Sequence, residues 1–316
     1  MYILEGTSSQ SKVFLDDTND KSKFHITWEI ESKCSLACKY CYSNRTKIGS
    51  ASLSRIDDLT REINDSEITN VHLTGGEPTL SPYLEHIVSR LANKKIFITT
   101  NLIGGLGNIK HLISRYRIYS VAVSLDSVDE QINDFLRGRT SEVMAGICEL
   151  INFKRENGIG TKIRIHCVIS RVNLPHIGAL LEWAKSIGVD EVSCQPVSIE
   201  PWHEHYNALC LRYDDFSDIC KILDKERELF DSRYATSHLR LIEFCLKNEG
   251  CFIKKSRELC SAFIDACGKI WSCPMKLQEL PHVSTRPDSG ECKISTQCMT
   301  CLKHLTMPDG SGTNQP

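Results

Sequence analysis

Short apolar runs alternate with longer amphipathic stretches along residues 23 to 196. Each run has the length of a strand, and most are rich in β-branched residues, which favours β-structure. The predicted strands are 24–30, 71–74, 95–100, 120–125, 161–169 and 191–196. Amphipathic helices are predicted between them, for example at 82–91, 141–155 and 175–187. A strand followed by a helix, repeated six times, predicts parallel strands joined by helical crossovers.

Periodicity alone does not distinguish a barrel from a flat sheet, but the placement of the polar segments favours a barrel. Polar or glycine-rich segments follow the carboxyl ends of the predicted strands, where barrel enzymes build their sites. We therefore expect an α/β fold, a partial (β/α)6 TIM-like barrel. The segment 197–212 would form a loop at the same mouth, and 214–230 a further helix.

The pattern changes near residue 254 to short segments separated by cysteines. This change predicts a small C-terminal cysteine-rich domain over 236–306. The barrel would occupy 23–235, after an N-terminal extension at 1–22. Residues 307–316 are rich in Gly, Pro and polar residues, and are expected to form a disordered tail.

Composition and charge exclude several classes of protein. The 316 residues carry 38 Lys and Arg against 40 Asp and Glu, a net charge of -2, so no basic surface for nucleic acid is expected. The chain has no run of eighteen apolar residues, and its first twenty residues are polar and acidic. We therefore expect no membrane segment and no secretory signal, and a cytoplasmic location.

Sixteen cysteines are the abnormal feature of the composition. Disulfides are not expected in a reducing cytosol, so clustered thiols indicate metal or iron–sulfur ligands. Cys34, Cys38 and Cys41 have C-x₃-C-x₂-C spacing after the first strand. Three thiolates on one loop can hold three irons of a 4Fe–4S cube and leave the fourth iron open. A zinc knuckle, or three unrelated core thiols, are the alternatives.

This motif, with Tyr40 before its last cysteine, resembles the signature of the radical S-adenosylmethionine (radical SAM) superfamily. The second matching segment is Gly75-Gly76-Glu77-Pro78. It resembles the GGEP segment of the superfamily, in which the glycines let the backbone approach the ligand and the strand edge receives the amino group of S-adenosylmethionine. The resemblance implies that Cys34, Cys38 and Cys41 hold a 4Fe–4S cluster that binds S-adenosylmethionine.

Further strand-end residues resemble cofactor contacts of the same superfamily. The expected contacts are Tyr40, Gly75, Gly76, Glu77, Pro78, Asn101, Ser124, Asp126, Arg137, Ser170, Asn173 and Val197. Arg137 would pair with the carboxylate of the cofactor, since a guanidinium binds carboxylates in bidentate fashion. For Asn101 and Ser124 a strand-end cap is an equal alternative. His72 and His166 lie within strands and are expected to be packed core histidines rather than catalysts.

The resemblance also implies a reaction. The open iron would chelate the amino and carboxylate groups of S-adenosylmethionine, and one electron would cleave the sulfonium to methionine and a 5′-deoxyadenosyl radical. The radical would remove a hydrogen atom from a substrate carbon, while the protein positions that carbon and excludes water and oxygen. An electron donor such as flavodoxin or ferredoxin is the implied protein partner.

The C-terminal cysteines resemble the SPASM and Twitch auxiliary-cluster domains of this superfamily. Only six cysteines follow Lys255, one fewer than the SPASM pattern uses, so a single auxiliary 4Fe–4S cluster is expected. Its expected ligands are Cys260, Cys273, Cys298 and Cys301. A zinc site with the same four thiolates is the alternative.

A thiol outside the clusters would be able to donate a hydrogen atom to a substrate radical and so invert a carbon. Cys251, which follows Gly250, is the favoured candidate for this catalytic role. A small buried hydrophobic residue is the alternative, because most free cysteines are of that kind.

Two hypotheses cover the substrate. The favoured one is a small sugar-, aminocyclitol- or nucleoside-like molecule, oxidised, epimerised or decarboxylated in natural-product biosynthesis, because the chain shows no N-terminal module that captures a leader peptide. The other is a maturase that crosslinks, oxidises or epimerises a ribosomally synthesised precursor peptide. The candidate substrate residues form a loop that would suit a sugar-like ligand or a solvated cap: Glu200, Trp202, His203, His205 and Tyr206. A non-catalytic electron carrier would need neither the GGEP segment nor a barrel.

Overall fold

The computed structural model describes residues 2–6, 12–14, 24–41, 49–197, 199, 202–230, 251–255, 261–271 and 279–282. Several predictions lie outside the described residues: Glu200, Cys260, Cys273, Cys298, Cys301 and the tail 307–316.

The elements follow the predicted alternation of strands and helices. The strands are β1 (Tyr2–Gly6), β2 (Lys12–Phe14), β3 (Phe24–Glu31), β4 (Ile68–Gly75), β5 (Lys95–Thr100), β6 (Ile118–Ser124), β7 (Lys162–Ile169), β8 (Glu191–Pro196), β9 (Cys251–Lys255), β10 (Ser261–Ile264), β11 (Ile270–Trp271) and β12 (Glu279–Leu280). The helices are α1 (Leu53–Asp65), α2 (Leu84–Arg90), α3 (Leu106–Arg115), α4 (Glu130–Leu136), α5 (Thr140–Glu156), α6 (Ile177–Ile187), α7 (Tyr206–Leu209) and α8 (Phe216–Leu229). Short 3₁₀ turns lie at Pro78–Leu80, Leu174–His176 and Tyr213–Asp215.

The main sheet confirms the partial barrel. Its strand order is β12-β11-β10-β3-β4-β5-β6-β7-β8, and β3 to β8 pair in parallel with their neighbours in chain order. Among the described strands β8 and β12 are the two edges, so the sheet does not close on itself. The carboxyl ends of six parallel strands therefore meet at one mouth.

The described part of the C-terminal segment continues the barrel sheet. β10 pairs with β3 in parallel, and the short β11 and β12 follow in antiparallel order. β1, β2 and β9 form a separate three-stranded antiparallel sheet. The positions of the domain boundaries stay a prediction.

The hydrophobic core lies between the sheet and the helices. Alternate residues of the parallel strands, such as Ile26, Leu73, Ile98 and Val123, have no exposed surface and belong to one continuous apolar cluster with the helices. Burial of each such side chain contributes about 1.5–3 kcal/mol. Since side chains alternate along a strand, the other residues of these strands face the concave side. No helix in the described part of the chain is long and apolar enough to cross a membrane.

Candidate functional site

The three-cysteine loop begins at the carboxyl end of β3 and is held by backbone and carboxylate contacts. The N–H groups of Ser32 and Lys33 both donate to Glu31 Oε1 at 2.9 Å. The Cys41 N–H donates to the Cys38 carbonyl at 3.1 Å. Cys34, Cys38 and Cys41 are all half-buried. The loop therefore presents its three thiols at the mouth from a fixed backbone.

Gly75 and Gly76 pack directly against this loop. The Gly76 N–H donates to the Glu31 carbonyl at 2.7 Å, and the Glu77 N–H donates to the Lys33 carbonyl at 2.8 Å. A Cβ on Gly75 would lie 2.2 Å from the Glu31 carbonyl oxygen, and one on Gly76 would lie 2.3 Å from that of Lys33. The family resemblance implies that these glycines let the backbone approach a ligand. In the structure, the atoms that leave no room for a side chain are backbone atoms of the segment that leads into the cysteine loop.

Glu77 is a buried carboxylate whose oxygens are used by the protein. The N–H and hydroxyl of Thr79 donate to Oε1 at 3.1 and 2.7 Å. The Thr100 hydroxyl donates to Oε1 at 2.7 Å, and the Asn101 N–H donates to Oε2 at 2.7 Å. Glu77 thus ties the end of β4 to the end of β5. Pro78 beside it is buried at the start of the 3₁₀ turn.

Asn101 brings an amide to the first cysteine. Its Nδ2 lies 3.5 Å from Cys34 Sγ, and the Leu36 N–H donates to the same sulfur at 3.5 Å. Burial raises the pKa of the Cys34 thiol, while the Leu36 N–H and the Asn101 amide lower it. N–H donors to a sulfur favour its thiolate form, which is the form that binds metals.

Asp126, Tyr40 and Arg137 form a buried cluster between the loop and β6. The Tyr40 hydroxyl and Arg137 Nε both donate to Asp126 Oδ2, Arg137 at 2.7 Å. The Val168 N–H donates to Oδ1 at 2.8 Å. The side chain of Asp126 is fully buried and that of Arg137 is 9% exposed, and the guanidinium lies 5.3 Å from the centre of the Tyr40 ring. Arg137 was expected to meet a cofactor carboxylate, and in this structure its Nε is paired with Asp126.

Arg137 also reaches the second cysteine, with Nη1 at 3.9 Å from Cys38 Sγ. Burial raises the pKa of the Cys38 thiol to about 11, and the charge of Arg137 acts in the opposite direction. A positive group beside a buried sulfur stabilises the thiolate. Two of the three thiols therefore have a donor side chain fixed beside them.

The donor set of the loop fits a 4Fe–4S cluster with one open iron. Each of three thiolates binds a different iron of such a cube, and the loop offers three half-buried thiols with N–H and guanidinium groups beside two of them. Within the described ranges, no three His, Cys, Asp or Glu side chains are grouped as the ligands of a single metal ion.

Ser170 and Asn173 are buried after β7, and their polar atoms bind the protein. Asn173 Oδ1 accepts from the N–H and hydroxyl of Ser170 at 2.7 and 2.8 Å. Asn173 Nδ2 donates to the carbonyls of Asp126 and Val168 at 2.8 and 3.0 Å. This network joins the ends of β6 and β7. Ser124, a predicted cofactor contact or strand-end cap, pairs in register with His166 and is 9% exposed on the concave face.

Val197 belongs to a small apolar cluster at the ends of β7 and β8. The cluster contains Leu136, Val168, Val197, Ile199, Leu209 and Cys210, with Tyr40 and Tyr206 packed against it. Of the expected substrate residues, Tyr206 therefore contributes to an apolar wall beside the cysteine loop.

Of the other described residues of the substrate loop, His205 lies beside α4. Trp202 is 78% exposed, and the rings of His203 and His205 are 5.7 Å apart. The His205 ring lies 6.3 Å from that of Phe135, over which Lys39 Nζ sits at 5.8 Å. Phe135 and Lys39 were not among the predicted residues, because only the fold brings α4 and the cysteine loop to this segment.

The sequence predicted that His72 and His166 are packed in the apolar core. In the structure both are instead half-buried on the concave face. His72 Nε2 lies 2.6 Å from Thr99 Oγ1, and His166 Nδ1 lies 3.0 Å from Ser193 Oγ. The pKa of His72 falls to about 4, because of burial first and then of the charges of Arg164 and His25. His72 is therefore a neutral group inside the barrel at neutral pH.

A hairpin formed by β10 and β11 around Gly268 is attached to α1. Asp265 Oδ1 accepts from the N–H groups of Cys267 and Lys269 at 3.0 Å each, and Oδ2 accepts from Trp271 Nε1 at 2.9 Å. Arg55 donates to the Gly268 carbonyl through Nε and Nη2 at 3.0 and 2.9 Å. The four expected ligands of an auxiliary cluster lie outside the described residues, and Cys251 starts β9, paired with Gly6.

Comparison with protein families gives a match between residues 28–194 and the model described as the radical SAM superfamily. Among curated proteins, the antilisterial bacteriocin subtilosin biosynthesis protein AlbA of Bacillus subtilis is 24% identical over 313 residues, covering 89% of this chain and 68% of AlbA. The mycofactocin maturase MftC of Mycobacterium tuberculosis is 28% identical over 167 residues, covering 52% of this chain and 42% of MftC.

A solved structure with the same fold is that of Streptococcus suis SuiB bound to the precursor peptide SuiA. Its TM-score is 0.62 at 17% identity, over 90% of this chain and 67% of SuiB. At this identity the likeness is one of fold.

Proposed function

Because the chain belongs to the radical SAM superfamily, we propose that it is the maturase of a ribosomally synthesised peptide. The observation that carries the proposal is the alignment with AlbA, a bacteriocin biosynthesis protein, over 89% of the chain. MftC is likewise named a maturase. These relatives favour a precursor peptide over the sugar-like substrate that the sequence first suggested. The expected modification is a crosslink, an oxidation or an epimerisation.

Membership of the superfamily implies a 4Fe–4S cluster and S-adenosylmethionine as cofactors. Together they supply a 5′-deoxyadenosyl radical that removes a hydrogen atom from a substrate carbon. Cys34, Cys38 and Cys41 would hold the cluster. Asn101 Nδ2 and the Leu36 N–H would stabilise negative charge on Cys34, and Arg137 would do the same for Cys38.

The residues around the loop would hold S-adenosylmethionine and exclude water. The guanidinium of Arg137 is oriented through Nε by Asp126, so its remaining N–H groups would be available to a carboxylate. The apolar cluster around Val197, with Tyr40 against it, would cover the adenine. Ser124 on the concave face would lie near the ribose. Glu77 and Asn173, whose polar atoms bind the protein, would act by holding the strand ends in place.

The C-terminal segment would carry one auxiliary 4Fe–4S cluster. Its proposed ligands are Cys260, Cys273, Cys298 and Cys301. This cluster would accept an electron from a substrate radical when the net reaction is an oxidation. If the net reaction is an epimerisation, Cys251 would donate a hydrogen atom to the substrate radical.

The test is peptide modification by the purified enzyme. The protein is reconstituted with iron and sulfide without oxygen, then supplied with S-adenosylmethionine, dithionite and, as candidate precursors, the short peptides encoded by the genes that neighbour its own. We expect 5′-deoxyadenosine and a modified peptide, detected by mass spectrometry. The Cys34→Ala, Cys38→Ala and Cys41→Ala variants should produce neither. Turnover of a small polyol with no change in the peptide would overturn the proposal.

A further inference from the structure

The concave face of the barrel sheet is polar, unlike the interior of an ordinary closed barrel. Barrel interiors are filled mainly by Val, Ile and Leu. Here alternate positions facing away from the apolar core hold Asn70 and His72 on β4, Arg164 and His166 on β7, and Ser193 on β8. A face of this composition is suited to a polar ligand rather than to a packed core.

The Arg164 charge on this face is already compensated within the protein. Arg164 Nη2 lies 2.6 Å from Glu191 Oε1, with both side chains mostly buried. His72 contacts the Thr99 hydroxyl, and its lowered pKa keeps it neutral above about pH 4. A charged ligand group bound here would therefore find no counter-charge in the Arg164–Glu191 pair or in His72.

Among the residues that the structure describes, three buried polar atoms of this face have no hydrogen-bond partner: Asn70 Oδ1, Ser120 Oγ and Arg164 Nε. They lie around His72. Asn70 precedes His72 by two residues on the same face of β4. Phe97 on β5 is in register with His72 on one side and with Ser120 of β6 on the other. Arg164 on β7 is in register with Ala122, which lies two residues after Ser120 on the same face of β6. Buried polar groups are paired in nearly all native structures, so three such atoms in one place indicate a ligand.

The chemistry of the three atoms selects the ligand group. Asn70 Oδ1 requires a donor, Arg164 Nε requires an acceptor, and the Ser120 hydroxyl takes either. A carboxylate has no donor and an ammonium has no acceptor. Hydroxyls and amides have both and are uncharged, and of these two groups a peptide main chain supplies the amide.

We propose that Asn70, Ser120 and Arg164 bind neutral amide groups of the substrate, either its main chain or a carboxamide side chain. The identification of the substrate as a peptide rests on the proposed function. The three residues would then determine how far the peptide enters the barrel from the mouth, and so which of its carbons lies near the cysteine loop.

The test measures amide binding separately from peptide modification. Saturation-transfer NMR on the reconstituted holoenzyme uses N-acetylglycinamide as the probe, with acetate and ethylammonium as charged comparisons. We expect a signal from the amide alone. The Asn70→Ala/Ser120→Ala double variant should bind it about tenfold or more weakly, since each substitution removes a hydrogen bond to the ligand.

The control is Ser186→Ala, an exposed change at the end of α6 that should leave amide binding at the wild-type level. Ser120→Ala removes an unpartnered hydroxyl, so folding should be retained, and the melting temperature of each variant checks this. Equal amide binding by the double variant and the wild type would overturn the inference, even if the precursor peptide is modified. Amide binding that the double variant loses, with no peptide modified under any condition, would instead overturn the proposed function.

Discussion

Asp126 joins three parts of the mouth through one side chain. Its carboxylate accepts from Tyr40 in the cysteine loop, from Arg137 after α4 and from the Val168 backbone on β7. The sequence identified Asp126, Tyr40 and Arg137 individually, because each lies in or after a strand-end motif. It did not show that they contact one another, since their pairing depends on how β6 and β7 bring distant segments together.

Asp126→Asn tests this cluster. The asparagine keeps the shape of the side chain but leaves the buried guanidinium of Arg137 without its counter-charge. We expect the free energy of unfolding to fall by about 3 kcal/mol, in line with other broken buried pairs. Urea denaturation followed by circular dichroism measures the loss. Asp58→Asn, which removes an exposed partner of Arg61 on α1, should change stability little, and a similar small change for Asp126→Asn would contradict the assignment.

His72 predicts an acid dependence of stability. Its pKa is about 4 in the folded protein against an ordinary 6.5, so the unfolded chain binds more protons between these values. The free energy of unfolding that depends on a neutral His72 is therefore fully present above pH 6.5. It is lost as the pH falls towards 4, by up to about 3 kcal/mol. Denaturation of the wild type and of His72→Gln at several pH values measures it. The wild type should lose stability more steeply over this window, and parallel curves would contradict the prediction.

The predicted strands are confirmed, but the side-chain contacts that tie their ends together were not predictable from the sequence. All six predicted strands are present in the parallel sheet, because β-branched runs between amphipathic stretches are a local property of the sequence. The role of Glu77 in tying β4 to β5 is not local, since Thr100 and Asn101 are distant in the sequence. The same holds for Arg55, which reaches the hairpin at Gly268 from α1.

Gly76→Ala tests the contact between the end of β4 and the cysteine loop. Its Cβ would meet the Lys33 carbonyl oxygen at 2.3 Å, and the next nearest atoms, the Lys33 carbonyl carbon and the Ser32 carbonyl oxygen, are backbone as well and cannot rotate away. We expect the loop to be displaced and the iron content after reconstitution to fall well below that of the wild type. Iron and sulfide analysis, with the visible absorption of the cluster, provides the measurement.

Gly107→Ala is the matched control for that substitution. Gly107 is exposed in α3, and a Cβ there would meet no atom within 4 Å. Alanine in a helix is more stable than glycine by about 0.5–1 kcal/mol, so this variant should bind iron as the wild type does. Equal iron contents in both variants would show that the close approach at Gly76 does not matter.

At the scale of the whole molecule, the partial barrel places one polar concave face below one mouth. The sequence predicted the barrel, the cysteine loop and the family, since these depend on motifs and on periodicity. It misjudged His72 and His166, because a histidine between apolar neighbours in a strand is counted with the apolar run, whereas alternate residues of the strand face opposite sides of the sheet. It also favoured a small-molecule substrate, whereas the relatives AlbA and MftC support a peptide.

The proposed maturase would remove a hydrogen atom from a carbon of its precursor peptide. The most direct measurement uses the precursor peptide with deuterium on the carbon-bound positions of its modified residues. Anaerobic turnover with S-adenosylmethionine and reductant should give 5′-deoxyadenosine that carries deuterium, together with the modified peptide. Unlabelled 5′-deoxyadenosine and an unchanged peptide, from protein with a full complement of cluster iron, would contradict the proposed function.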